Sequence, residues 1–474
     1  MLTANAQPTA NQPTETWSAQ RLEQALAATH KAQAAWATTQ YEHRALRMTR
    51  TAELLRERRE EFAAIMTAEM GKLTKEARAE VDKCALNCDY YAVHAEHFLQ
   101  DEAIRSDAGK SYVSYVPLGI VLGVMPWNFP FWQVFRFVAP ALMAGNGVVL
   151  KHASNVQRCA QAIEALLRDA GFPEHLFTHL PVRADQVAEV IASPHVHAIT
   201  LTGSEPAGKS VAAAAGLHLK KCVLELGGSD PFIVLADADL DLAIEQGAQS
   251  RYSNCGQSCI AAKRFILVPE IADAFVERLK QKIATLKIGE PTDEATQLGP
   301  MAREDLRDEL HLQIKESIAQ GAVAAAGCAP LDRPGAFYAP SILDHVEPTM
   351  RAYHEEFFGP VAIVIRARDE ADAVRIANDT RFGLGSSIWS RDFDHAEEVA
   401  RHIQAGATFI NGLVKSDPRL PFGGIKASGF GRELSYHGIR EFVNAKTIWM
   451  REGVSERERR EGERRNAERR EDAQ

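Results

Sequence analysis

From Ser111 onward the chain keeps one habit: short runs of branched apolar residues separated by alanine-rich stretches. "SYVSYVPLGIVLGVMPW", "GVVLKHAS", "HAITLTGS", "CVLELGGSDPFIVLADA" and "RFILVPE" read as strands, with helices between several of them. Parallel strands need a long crossover, which a helix supplies, so the alternation predicts a parallel α/β architecture. A second α/β stretch covers 228–430, with strand candidates "VAIVIRA", "SSIWS" and "ATFING", and "KTIWM" is the last strand. Residues 19–99 read as helical. Leu54, Leu55, Phe62, Ile65 and Met66 recur at helical spacing, and Gly71 stands where a C-cap belongs. A length of 474 residues suggests about three domains.

"GSEPAGKS", Gly203 to Ser210, fits the phosphate-loop pattern G-x-x-x-x-G-K-[ST] between a strand and a helix. Such a loop encircles its anion with successive backbone N–H groups. Pro206 removes one of those donors, and Glu205 sets a carboxylate beside the anion. A nucleoside triphosphatase, with "FIVLAD" ending at Asp237 as its metal strand, is the lesser reading. The stronger one keeps Gly203 and Ser204 as the opening of a helix, whose N-terminus attracts phosphate without an enclosing loop. Lys209 is then a surface lysine.

Net charge is −9, from 54 basic and 63 acidic residues, which disfavours a nucleic-acid partner because a phosphate backbone needs a basic face. The seven cysteines are few and unevenly placed, with no C-x-x-C pair, so neither a disulfide framework nor a structural zinc site is expected. No metal site is expected at all. Residues 1–16 look disordered and lack the marks of a targeting peptide, and no apolar run is long enough to span a bilayer. A cytoplasmic protein with no membrane partner is the expectation. The tail 453–474 is a charge run that reads as a solvated, partly helical extension.

Three residue types could carry chemistry. "NCGQSC" places Cys255 and Cys259 around a Gly-Gln turn that runs into a strand. "LELGG" ends an apolar strand on Glu225, either a solvated strand end or a base in a cleft. "MPWNFPFW" holds Asn128 between prolines, where its amide either satisfies turn groups or is aimed at an anion.

Together, "PWNFP", "TGS", "LELGG", "NCGQSC", "EEFFGPV" and "PFGGIKASGFGREL" resemble, in order and wording, the aldehyde dehydrogenase superfamily. The nearest likeness is to the NAD(P)-dependent succinate-semialdehyde dehydrogenases, through "KHAS", "CIAAKRF" and "NGLVKSDPRLPFGGIK". The resemblance implies an aldehyde dehydrogenase-like α/β fold. Residues 17–98 and 118–227 would form a Rossmann-like cofactor domain, 228–430 a catalytic domain, and 99–117 with 440–452 a small sheet for oligomerisation as a homodimer or homotetramer.

The same resemblance makes Cys259 the nucleophile, Asn128 with the Cys259 N–H the oxyanion donors, and Glu225 the base that activates water. Gly203 and Ser204 would meet the cofactor pyrophosphate, and Lys151 the adenosine ribose. Ser154 stands where NAD-specific members carry a glutamate that would repel a 2′-phosphate, so NADP is expected to be usable alongside NAD. Glu356 and Phe358 would hold the nicotinamide riboside, with Trp127 and Leu226 bordering the channel. Arg136 matches a carboxylate-binding arginine of the succinate-semialdehyde enzymes. A second arginine of some members is Ser253 here, for which Lys415, Ser416 and Arg419 could compensate. Succinate semialdehyde is the expected substrate, with a general aliphatic aldehyde as the alternative. A catalytically dead binding protein on the same fold is a further one. A reversible Cys255–Cys259 link is conceivable on spacing.

Overall fold

The computed structural model describes residues 17–451; the expectations for the first sixteen residues and for the charged tail fall outside them. Four helices open the described chain: α1 (Ala19–Trp36), α2 (Tyr41–Glu57), α3 (Arg59–Met70) and α4 (Thr74–Phe98). Gly71 ends α3 in the left-handed conformation, φ 72°, as its place in the sequence predicts. Then follow β1 (Glu102–Ala103), β2 (Lys110–Pro117), β3 (Ile120–Met125), α5 (Trp132–Met143), β4 (Gly147–His152), α6 (Gln157–Asp169), β5 (Phe177–His179), α7 (Val187–Ala192), β6 (Val196–Thr202), α8 (Glu205–Leu217) and β7 (Lys221–Glu225). The second half adds β8 (Asp230–Val234), β9 (Ala262–Leu267), β10 (Val323–Ala326), β11 (Ser341–Asp344), β12 (Val361–Arg366), β13 (Gly385–Trp389) and β14 (Ala407–Ile410), with helices between most of them. The chain closes with β15 (Gly429–Phe430) and β16 (Val443–Met450).

The first large sheet has the order β15-β7-β6-β3-β4-β5, parallel except for β15. Its strands are apolar on both faces. On β3, Val121 and Met125 face the core built with α2 to α5, while Ile120 and Leu122 face the core that includes Leu22 and Leu26 of α1 and Val211 of α8. Burial on both faces explains why such strands read as unbroken hydrophobic runs. From β3 the chain leaves towards β4, and from β6 towards β7, so the strand order switches between these two neighbours. Ligands of open α/β sheets bind outside the carboxyl ends at such a switch.

The second sheet, β10-β11-β12-β9-β8-β13-β14, is parallel from β11 to β14 and has its own core. The run "CVLELGGSDPFIVLADA", which reads as one strand segment, is two strands in two different sheets, joined by Leu226 to Ser229. Glycines 227 and 228 let the backbone leave one sheet and enter the next. As a result the carboxyl end of β7 faces the amino ends of the second sheet. A third sheet, β1-β2-β16, pairs β16 with β2 antiparallel from Val443↔Pro117 to Met450↔Lys110. The stretch after β14 folds back on the first half, with Phe422, Leu434 and Ile439 in its core and β15 beside β7.

Candidate active site

Asn128 lies in the loop between β3 and α5, at the switch point. A carboxylate from α4 fixes that loop: Glu80 accepts from the backbone N–H of Phe131 and of Trp132, both at 2.9 Å. Negative charge at a helix N-terminus is favourable, and here it also satisfies two orphan donors. Glu80 is in turn ion-paired with buried Lys72, whose ammonium lies 3.8 Å from the Phe129 ring centre.

The thiol loop follows the helix Leu240–Tyr252. Asn254, Cys255 and Gly256 are all left-handed, with φ of 50°, 53° and 70°. The first two of these cost roughly 1–2 kcal/mol each. Two buried groups hold the turn: Glu76 of α4 accepts from the Asn254 N–H at 2.9 Å, and Arg251 donates to the Gly256 carbonyl at 2.5 Å. A side chain at Gly256 would collide with the Gly359 backbone, its Cβ 2.3 Å from that carbonyl oxygen.

The two loops are laced together. The Asn128 amide donates to the Gln257 carbonyl at 3.1 Å, and the Asn254 amide donates to the carbonyls of Asn128 at 3.0 Å and Gln257 at 3.1 Å. Gln133 donates to the Asn128 side-chain oxygen at 3.0 Å, which turns the amide NH₂ towards the thiol loop. Beyond the turn, Lys263 donates to the carbonyls of Ser258 at 2.8 Å and Cys259 at 2.7 Å, and its ammonium lies 3.1 Å from Glu356.

Cys259 is the half-buried thiol of this loop, packed against the first core. Burial pushes it up to about 11, opposed by the cations of Arg136 and Lys263. Cys255 is different: it is buried in the core of the second sheet, and burial with the nearby Glu76 charge raises it further. The two sulfurs belong to different cores.

Glu225, at the end of β7, is 2% exposed, and neither carboxylate oxygen has a hydrogen-bond partner. Burial and the neighbouring Glu433 hold its proton on well above the usual range, against Arg136 and Arg432. An unpartnered buried acid is costly in a purely structural role. Glu433, from the "GREL" stretch, is ion-paired with Arg136, each side chain being 2% exposed. Arg136 also donates to Thr202 at 3.2 Å, the residue that pairs with Glu225 in the β6–β7 register.

The residues expected to meet a dinucleotide have the following surroundings. Lys151 is the penultimate residue of β4, half-buried, with its ammonium lowered by burial and without an ionic partner among the described residues; Ser154 is exposed just beyond the strand. Gly203 donates to the Glu225 carbonyl at 3.0 Å, and Ser204 is the N-cap of α8, accepting from Ala207 at 3.5 Å. The carboxylate of Glu205 is neutralised by Lys209 at 2.7 Å and Arg381 at 2.9 Å, which removes the repulsion it would bring to a phosphate. Lys209 is thereby spent on a surface pair. Leu226 is buried on the linker, and Trp127 meets Phe358 edge-on at 6.0 Å between ring centres. An unneutralised lysine, a capped helix start and an aromatic pair beside Glu356 suit a nicotinamide dinucleotide.

The expected substrate groups are less uniform. Arg136 is already committed to Glu433. Lys415 is exposed, and Arg419 is an exposed partner of Asp417, at 2.8 and 2.6 Å. Ser416 is buried and accepts from Trp132 at 3.1 Å and from Lys83 at 2.6 Å. The sequence reading overlooked Glu76, Glu80, Lys83, Lys263 and Glu433. Only Lys263 and Glu433 lay inside motif wording, in "CIAAKRF" and "GREL".

Among the described residues no cluster of side chains could hold a metal ion, and no helix is long and apolar enough to cross a membrane. The aldehyde dehydrogenase family matches residues 4–448. Succinate-semialdehyde dehydrogenase [NADP(+)] of Mycolicibacterium paratuberculosis is 51% identical over 418 residues, 87% of this chain and 88% of that one. Succinate-semialdehyde dehydrogenase [NADP(+)] 1 of Mycobacterium tuberculosis is 48% identical over 453 residues, 94% and 99% of the two chains. The crystal structure of succinic semialdehyde dehydrogenase from Streptococcus pyogenes with NADP+ superposes with a TM-score of 0.91 at 41% identity, covering 92% and 96%.

Proposed function

Because the chain belongs to the aldehyde dehydrogenase family, we propose that it oxidises succinate semialdehyde to succinate, with NADP or NAD as acceptor. The observation that carries this reading is the lacing of Asn128 to the thiol loop through Gln257, together with a buried, unpartnered Glu225 that shares the charge of Arg136 with the Cys259 thiol. Relatives named for that substrate, about half identical over most of their length, support its choice.

Cys259 sulfur attacks the aldehyde carbon as its proton passes to solvent water, and the carbonyl π pair moves onto oxygen to give a thiohemiacetal oxyanion. The spare N–H of Asn128 and the Cys259 backbone N–H stabilise the oxyanion. A bound nicotinamide dinucleotide supplies the hydride acceptor. Glu225, with its proton released, takes a proton from water as that water attacks the resulting thioester. Water oxygen becomes the second carboxylate oxygen, and Cys259 leaves as thiolate. Trp127, Glu356, Phe358 and Leu226 would border the nicotinamide, Gly203 and Ser204 the pyrophosphate, and Lys151 with Ser154 a 2′-phosphate.

In this reading residues 17–98 and 118–227 serve the cofactor and 228–430 the thiol. The free edge of β16, carrying exposed Trp449 and Met450, joins copies into a homodimer or homotetramer in the cytoplasm. The commitment of Arg136 to Glu433 is the one observation that favours a neutral aliphatic aldehyde as a second reading. The test is reduced-cofactor absorbance with a panel of aldehydes and both cofactors. Turnover that prefers succinate semialdehyde supports the first reading, and equal or better turnover of unbranched neutral aldehydes supports the second.

A further inference from the structure

Lys83 of α4 is a half-buried cation without an anion. Its ammonium lies 4.2 Å from the centre of the Trp132 ring and donates to Ser416 Oγ at 2.6 Å, with no carboxylate in ion-pair range among the described residues. Ser416 Oγ also accepts from Trp132 Nε1, so its own hydrogen is left to donate elsewhere. Two Lys83 N–H groups are likewise unspent. Donors therefore collect here without acceptors.

Nearby negative charge is already committed. From α4 itself, Glu80 is taken by Lys72 and two backbone N–H groups, while Cys84 is a buried thiol held neutral. From the loop after β14, Asp417 is taken by Arg419. From α5, the charged group that bears on Lys83 is Arg136, a cation. Burial and Arg136 bring the ammonium down to about 8. An incoming carboxylate would oppose both effects with a charge of the opposite sign.

The place also fits the reaction. Trp132 stands one helical turn beyond the Asn128 loop and Arg136 one turn further, and Arg136 acts electrostatically on both the Cys259 thiol and Lys83. We propose that Lys83, with the Ser416 hydroxyl as second donor, holds the remote carboxylate of the aldehyde substrate, the part expected of Arg136. This rests on the succinate-semialdehyde reading.

The test compares kcat/KM for succinate semialdehyde and for butanal, at saturating NADP, in the wild type, Lys83→Met and Lys83→Arg. A charge-assisted contact of this kind is worth about 10- to 100-fold, so Lys83→Met should cut the preference for succinate semialdehyde by that factor. Lys83→Arg should recover most of it. A preference in Lys83→Met within about threefold of wild type overturns the role of Lys83 and leaves the substrate reading intact. A wild type that shows no preference overturns both. Should Lys83→Met not fold, the wild type suffices. Its KM for succinate semialdehyde should climb between about pH 7 and about pH 9.5 while that for butanal stays level. Parallel behaviour of the two overturns the proposal.

Discussion

Lys263, fully buried, donates to the carbonyl oxygen of Cys259 at 2.7 Å. The same ammonium lies 3.1 Å from Glu356, so one charge steadies the backbone of the proposed nucleophile and the carboxylate expected at the nicotinamide ribose. It also opposes the burial that pushes the Cys259 thiol up. Lys263→Met should raise the midpoint of iodoacetamide alkylation by about one pH unit, since one neighbouring cation is lost. An unmoved midpoint in a folded variant would leave Lys263 a purely structural role.

Glu225→Gln keeps the shape of the site and removes the proposed base. Thioester formation should proceed while hydrolysis slows by about 100-fold. Rapid mixing should therefore show a burst of reduced cofactor close to the enzyme concentration, then a slow steady state. Cys259→Ala should show neither phase.

Asp230, directly after the inter-sheet linker, is buried, with one oxygen accepting from Gly385 at 3.1 Å and the other unpartnered. Burial raises it to about 7, against the Lys263 charge. Unfolded, an aspartate titrates near about 3.9. Between those values the folded protein holds a proton that the unfolded chain has released. This contribution is therefore full below about pH 4 and is lost as pH rises through about 7. Thermal unfolding should show a decline across that window in the wild type, and a shallower one in Asp230→Asn.

Ser154→Glu places a carboxylate beside the expected 2′-phosphate position. KM for NADP should rise about 10- to 100-fold, with KM for NAD changing little. Equal effects on the two cofactors would move the phosphate away from Ser154.

What the sequence disclosed, and what it hid, follows a physical line. Asn128, Glu225 and Cys259 lie in short stretches whose glycines and prolines constrain the backbone locally, so neighbouring letters carry the information. The parallel sheets were legible because strands buried on both faces, such as β3, are apolar throughout. Glu76, Glu80 and Lys83 stayed hidden because charges on a helix look alike whether water or another helix covers them. Their spacing of four and three puts them on one face, yet what that face meets is decided by loops far along the chain. Arg136 was singled out by type and position, but its partner Glu433 lies almost three hundred residues away. The break in "LELGGSDP" was legible in its two glycines and in the resemblance, which sets a boundary at 227/228, but composition did not disclose that the strands on either side join different sheets.

That face of α4 ties synthesis to activity. Glu76 steadies residue 254, Glu80 the start of α5, and Lys83 a serine at 416, so an early helix awaits a late segment. A nascent chain stopped before Ser416 would carry its sulfur, amide and acid complete, yet lack Glu433 opposite Arg136 and the hydroxyl opposite Lys83. Ribosome-bound fragments of that length should accordingly be chemically silent, and the enzyme's competence should arrive in a single step once residues 416–433 have emerged.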